Sequence, residues 1–87
     1  MSQLIKVGII GGAGYTGGEL LRVLLRHPNT EISFVHSTSN AGALISSVHG
    51  DLVGETEMSF AAALNQDIDV LFLCVGHGAA QQFLAAN

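Results

Sequence analysis

Apolar residues gather in runs rather than in strict alternation along most of this chain. Residues 4–10 are rich in β-branched side chains, with little polar alternation, the pattern of a strand covered on both faces. The run breaks at Gly11-Gly12-Ala13-Gly14-Tyr15-Thr16-Gly17, and the spacing then becomes helical. Leu20, Leu21, Leu24 and Leu25 fall on one stripe, and Glu19, Arg22 and Arg26 on another. This helix is predicted to stop at His27, because Pro28 disfavours helical geometry in the residue before it. His27 suits such a place, at the negative end of the helix dipole. Asn29 and Thr30 then turn the chain into a second strand over residues 31–36.

The second half of the chain is less regular. Ser37, Thr38, Ser39 and Asn40 form a polar loop, and Asn40 is a candidate N-cap for a short helix over residues 41–48, weakened by Gly42. Residues 49–57 read as loop, residues 58–60 as a short strand, and residues 59–64, in an overlapping reading, as a small helix. Residues 69–75 make the strongest strand after the first, ending in Gly76-His77-Gly78. A last helix is expected from about Ala79. No internal repeat, low-complexity tract or linker interrupts the series.

Strands alternating with helices imply right-handed crossovers and a parallel sheet. The fold class expected is therefore α/β, a partial Rossmann-like doubly wound parallel sheet, with residues 1–87 forming the N-terminal portion of one nucleotide-binding domain. With strand order 3-2-1-4, the first strand lies between the second and residues 70–75. The crevice at the switch point then opens between the two glycine turns, beyond the carboxyl ends of the strands, where open parallel sheets bind ligands. Such a sheet would be truncated, leaving residues 70–75 as an apolar edge without charge, and self-association through that edge is expected.

Composition narrows the partners. The chain is 48% hydrophobic and 11% charged, well under the roughly 25% charged residues of an average domain. Its formal net charge is −4, and Lys6, Arg22 and Arg26 are its only fixed cations. That balance argues against nucleic acid, which needs a basic footprint. The single cysteine, Cys74, excludes an intrachain disulfide and fits a reducing compartment. No run approaches the roughly 18 apolar residues of a membrane span, and the N-terminus makes a poor signal peptide. The expectation is a soluble, cytoplasmic chain with no membrane partner.

The glycine turn carries the chemistry. It reads as Gly12-x-Gly14-x-x-Gly17 or as Gly11-x-x-Gly14-x-x-Gly17, between a strand and a helix. Glycines there permit a tight turn, a close approach of backbone to pyrophosphate and close packing of helix on strand. The cofactor-binding residues expected are Gly12, Ala13, Gly14, Tyr15, Thr16 and Gly17. At the end of the second strand a carboxylate would bind the ribose hydroxyls and disfavour a 2′-phosphate. Residues 36–40 contain none, so Ser37 and Ser39 are read as contacts and NADP is favoured over NAD.

The remaining polar residues carry less. Gly76, His77 and Gly78 form the other wall of the crevice and are read as cofactor contacts, with no acid–base role for His77, which has no partner carboxylate nearby in sequence. Cys74 reads as a small core residue rather than a reactive thiol. His49, Asp51, Glu55 and Glu57 match no metal-ligand spacing and read as a solvated acidic loop. No metal site and no catalytic residue are expected in this chain.

Four stretches together (residues 11–21, Leu25-Arg26-His27-Pro28, residues 37–42 and residues 72–78) resemble the start of the N-acetyl-gamma-glutamyl-phosphate reductases. The resemblance runs from about Lys6 to the end of the chain. Aspartate-semialdehyde dehydrogenases share the fold and a similar glycine turn, but typically lack the Tyr15-Thr16 pair. The resemblance implies an NADPH-dependent step of arginine biosynthesis, in which the acyl phosphate of N-acetylglutamate is reduced to the semialdehyde through a cysteine thioester. It implies pyrophosphate at residues 12–17, the 2′-phosphate at Ser37 and Ser39, and the inner ribose near residues 76–78. Two residues depart from the family's pattern: Thr38 stands where many relatives carry arginine, and Gly76 where proline is common. The family's nucleophile and substrate domain map to nothing here, so these 87 residues alone are expected to be inactive, with the acyl-phosphate substrate a partner only of the full-length enzyme. Two other readings stay open: a non-catalytic nucleotide-binding module or engineered minimal βαβ scaffold, and a fragment similar to aspartate-semialdehyde dehydrogenase.

Overall fold

The protein is described by a computed structural model over residues 4–75 and 77–86. Strand β1 spans Ile5–Ile10, and its last four residues are buried. Two parallel ladders enclose it, with β2 (Thr30–His36) on one side and β3 (Val70–Leu73) on the other. The sheet order is β2-β1-β3. This central position explains the lack of polar alternation in β1. The registers bring Ile10 opposite both His36 and Leu73, so all three strands end at one level.

Helix α1 spans Tyr15–Leu25. It begins before Glu19, where the apolar stripe starts, and so takes in Tyr15, Thr16 and Gly17 from the turn. Gly17 and Gly18 are buried in it, because the helix lies against the turn that precedes it. Arg26 forms its C-cap, and His27 N–H reaches the Leu24 carbonyl at 3.1 Å, so the helix closes just ahead of Pro28. Leu21 and Leu24 pack with Val7, Ile9 and Val35 on one face of the sheet, joined by Ile45, Leu52 and Phe60 from the connection that follows β2. Helix α3 (His77–Ala86) belongs to the other face. There Phe34 crosses over Gly8, and Phe34, Leu71, Phe83 and Leu84 border one apolar groove. Helices on both faces make the sheet doubly wound.

The connection from β2 to β3 corrects the sequence reading in three places. The helix expected over residues 41–48 is a single turn, α2 (Ile45–Val48), with Leu44 rather than Asn40 at its N-cap. Gly42 has φ 88°, in the left-handed region, and ends any helix running through it. Asn40 instead closes a turn, its carbonyl accepting from Ala43 N–H at 3.0 Å. Residues 59–64 form no helix. Phe60 and Ala61 are extended along the free edge of β2: Ala61 N–H donates to Val35 O at 2.8 Å, and Ser37 N–H to Ala61 O at 3.1 Å. A parallel bridge between His36 and Ala61 occupies the place of the third strand in a 3-2-1-4 order, and this route delivers Phe60 to the core. The segment expected to be all loop, residues 49–57, also contains a 3-10 turn over Gly50–Leu52, which buries Leu52.

The last strand is shorter than residues 69–75, although Asp69 N–H to Lys6 O and Cys74 N–H to Ile10 O, both 2.8 Å, carry the pairing to each side of it. Helix α3 begins at His77 rather than Ala79, so Gly78 lies in its first turn and not in a loop. Among the described residues β3 pairs with β1 alone, and Val70 and Leu71 are exposed. No helix among these residues is long and apolar enough to cross a membrane.

Candidate functional site

The level at which the three strands end determines what sits above them. Both Gly11 N–H and Gly12 N–H reach the His36 carbonyl at 3.1 Å, so the glycine turn hangs from the end of β2. Gly11 has φ 80°, and a side chain on it would meet Val75 and lie 2.7 Å from the Cys74 carbonyl. Gly17 closes the turn from above: a Cβ there would stand 2.7 Å from Gly12 Cα and 2.8 Å from Gly11 O. Gly14 differs from both. Nothing lies nearer than 3.9 Å to the position its Cβ would take, so its backbone faces open space.

That space is a groove of about 470 Å³ at the switch point. The turn contributes Ile10, Gly11, Ala13 and Gly14 to it, and the loop after β2 contributes His36, Ser37, Thr38 and Ser39. The third wall is Cys74, Val75, Ala79 and Phe83, from the end of β3 and from α3. Gly14 is the N-cap of α1 and no side chain caps this helix, nor is there an acidic residue in its first turn. The positive end of the helix dipole is therefore uncompensated where it meets the groove. Ser37, only 6% exposed, accepts Asn40 N–H on Oγ at 3.2 Å, which leaves its hydroxyl proton free to donate. Ser39 Oγ accepts from Asn40 Nδ2 at 3.2 Å.

The structure thus draws together Ala13, Gly14, Ser37 and Ser39 of the expected site, with Gly12 and Gly17 buried where turn and helix meet. Tyr15, 82% exposed, stands at the start of α1 with Thr16, and neither lines the groove; nor does Gly78. Gly76 lies outside the described residues, as does the side chain of His77. His36, Val75, Ala79 and Phe83 were missed as groove residues. His36 was legible as the last residue of its strand, and the 79/83 pair as neighbours four apart on one helix face.

The fixed cations are all engaged elsewhere. Lys6 pairs with Asp67 at 2.9 Å, a hydrogen bond that raises its pKa. Arg22 grips Asp51 through Nε and through Nη2, the latter at 2.8 Å, and reaches Glu19 at 2.7 Å. The guanidinium bond holds the Asp51 carboxyl at a pKa of about 2 and raises that of Arg22. Arg26 lies 3.7 Å from Glu55. An anion in the groove would meet backbone amides, the helix dipole and hydroxyls. Cys74, expected as a core residue, packs against the core but is only partly buried and also lines the groove, and burial pushes its thiol pKa up.

The acidic loop itself needs correction. His49 is only 8% exposed, and its Nε2 lies 2.7 Å from the Gly12 carbonyl. Asp51 and Glu55 are tied to Arg22 and Arg26, so residues 49–55 clasp α1 rather than sit freely in solvent. Among the described residues no group of three or more His, Cys, Asp or Glu could hold a metal ion.

An open parallel sheet, a glycine turn feeding an uncapped helix and a groove at the switch point define a dinucleotide-binding domain. The bare Gly14 backbone and the groove beside it fit such a ligand. Comparison with known families agrees. The family model described as "Semialdehyde dehydrogenase, NAD binding domain" matches residues 6–87, and the chain belongs to that family. The chain is also similar to proteins named N-acetyl-gamma-glutamyl-phosphate reductase. It is 52% identical to that of Christiangramia forsetii over 84 residues, covering 97% of this chain and 26% of the relative. Those of Flavobacterium johnsoniae, 54% identical with the same coverage, and Parabacteroides distasonis, 55% identical over 93% of this chain and 26% of the relative, are further examples. The chain spans about a quarter of the length of these curated relatives.

Proposed function

We propose that this chain is the NADP-binding N-terminal part of an N-acetyl-gamma-glutamyl-phosphate reductase of arginine biosynthesis, working in the cytoplasm. The observation that carries this reading is identity above one half, across nearly the whole chain, to proteins of that name. In this reading the amides of Ala13, Gly14, Tyr15, Thr16 and Gly17 hold the pyrophosphate, with Gly12 shaping the turn. Ser37 and Ser39 receive the 2′-phosphate, and Gly76, His77 and Gly78 lie beside the inner ribose. The absence of a carboxylate from residues 36–40 supports the 2′-phosphate, since an acidic residue there would repel it. A dinucleotide held by these residues would supply hydride chemistry, while this chain's residues bind and orient it. The nucleophile and the substrate site belong to the remainder of such an enzyme.

The test runs the reaction backwards in the intact protein, with N-acetylglutamate semialdehyde, phosphate and either NADP⁺ or NAD⁺. Phosphate-dependent reduction of NADP⁺, faster than that of NAD⁺, is expected. A preference for NAD⁺ would overturn the cofactor assignment. Turnover of a different semialdehyde in place of this one would overturn the substrate.

A further inference from the structure

Among the described residues, the one long-range side-chain hydrogen bond that reaches the glycine turn comes from His49, 37 positions away in sequence. A carbonyl oxygen can only accept, so the 2.7 Å contact with Gly12 O requires a proton on Nε2 of His49. The ring is held on several sides. It fills the space over Gly18, where a Cβ would lie 2.7 Å from the imidazole, and it meets Phe60 edge-on with centroids 6.3 Å apart. Two residues further on, Asp51 fastens the same segment to Arg22 of α1. His49 is thus in contact with both the helix and the core.

What this grip controls follows from the peptide plane. In a trans peptide the C=O of one residue and the N–H of the next point in opposite directions, and no peptide bond among the described residues is cis. Fixing the Gly12 carbonyl toward His49 fixes the Ala13 N–H the opposite way. Ala13 lines the groove, and its N–H has no hydrogen-bond partner among the described residues. With Gly11 and Gly12 N–H both committed to His36, the Ala13 amide is the first in the turn left for a ligand. Glycine at position 12 would otherwise let this peptide flip at little cost.

We propose that His49 is a positioning residue for the dinucleotide: its Nε2–H holds the Gly12 carbonyl so that the Ala13 amide is presented to the pyrophosphate. This rests on the reading of the glycine turn as a dinucleotide site, and the variants separate the two ideas. His49→Leu keeps the volume and removes the donor, whereas His49→Gln keeps a donor of similar reach. In the intact protein, NADPH affinity is followed by the fluorescence of the bound nicotinamide, at a temperature well below each variant's melting point. His49→Leu should weaken binding about tenfold, the scale of one charge-assisted hydrogen bond. His49→Gln should restore most of it, and in turnover the loss should fall on KM for NADPH with kcat little changed. A long-range ¹H–¹⁵N spectrum of the wild-type imidazoles should show His49 with its proton on Nε2. Equal binding by His49→Leu, failure of His49→Gln to rescue, or a proton on Nδ1 alone would overturn the proposal while leaving the site reading intact. No NADPH binding by the wild type would remove the site reading, and this proposal with it.

Discussion

Single glycines in the turn do different work, and substitution separates them. At Gly14 a methyl group meets nothing nearer than 3.9 Å, so Gly14→Ala should fold normally while intruding on the groove. NADPH affinity should fall by about tenfold, near 1.4 kcal/mol, with an almost unchanged melting temperature. At Gly17 the added carbon would meet backbone of Gly12 and Gly11 at 2.7 and 2.8 Å, neither of which can turn aside as a flexible side chain would. Gly17→Ala should lower the melting temperature, by an overpacking cost of about 1–3 kcal/mol, together with affinity. Thermal melts beside NADPH titrations check both; an equal loss of stability in the two variants would contradict the distinction. The place of a residue on the groove was legible where it depended on a local motif, as at Ala13 and Gly14. The tie of His49 to the turn was not legible, since its partner lies 37 positions away and its acidic neighbours suggested solvent.

At the scale of elements, the alternation of β1, α1 and β2 could be read because each has a periodicity of its own and a glycine or proline at its border. The connection between β2 and β3 could not. Residues 41–48 have apolar spacing compatible with a helix, but Gly42 adopts a positive φ, and Phe60 is buried by pairing along β2 rather than by a helix of its own. That connection is fastened to α1 by ion pairs, Arg22 with Asp51 and Arg26 with Glu55. Because Asp51 is held at about 2, below its ordinary value, its contribution to stability is complete above about pH 4 and lost as pH falls through 2. Asp51→Asn should therefore lower the melting temperature at pH 7 and have a much smaller effect at pH 2, where the carboxylate is half protonated. Hydrogen exchange of residues 45–55 should rise in the same variant. An unchanged melt and unchanged exchange at pH 7 would contradict the clasp.

At the scale of the molecule, the sheet has one protected edge and one open one among the described residues. Ala61 covers part of β2, whereas β3 offers Val70 and Leu71 without a neighbour among the described residues. We predict that the 87-residue chain expressed by itself self-associates through this strand, the physical liability of an apolar, uncharged edge. Sedimentation over a concentration series should show growing oligomers, and Leu71→Lys should suppress them; a folded monomer at high concentration would contradict this. The open edge was foreseeable from the uncharged run at 70–75, and so was the switch-point groove, since both follow from strand order. The part of the groove formed by Ala79 and Phe83 depends on where α3 begins, two residues earlier than its composition suggests.

In the proposed function, the glycine turn and the loop after β2 form one dinucleotide site with room for a 2′-phosphate. Titration of the ¹⁵N-labelled intact protein with NADPH and with NADH tests it most directly. The largest amide shifts are expected at residues 13–17 with both cofactors, and shifts at residues 37–39 should be larger with NADPH, which should also bind more tightly. Shifts confined to other residues, or identical responses at 37–39 to the two cofactors, would contradict it.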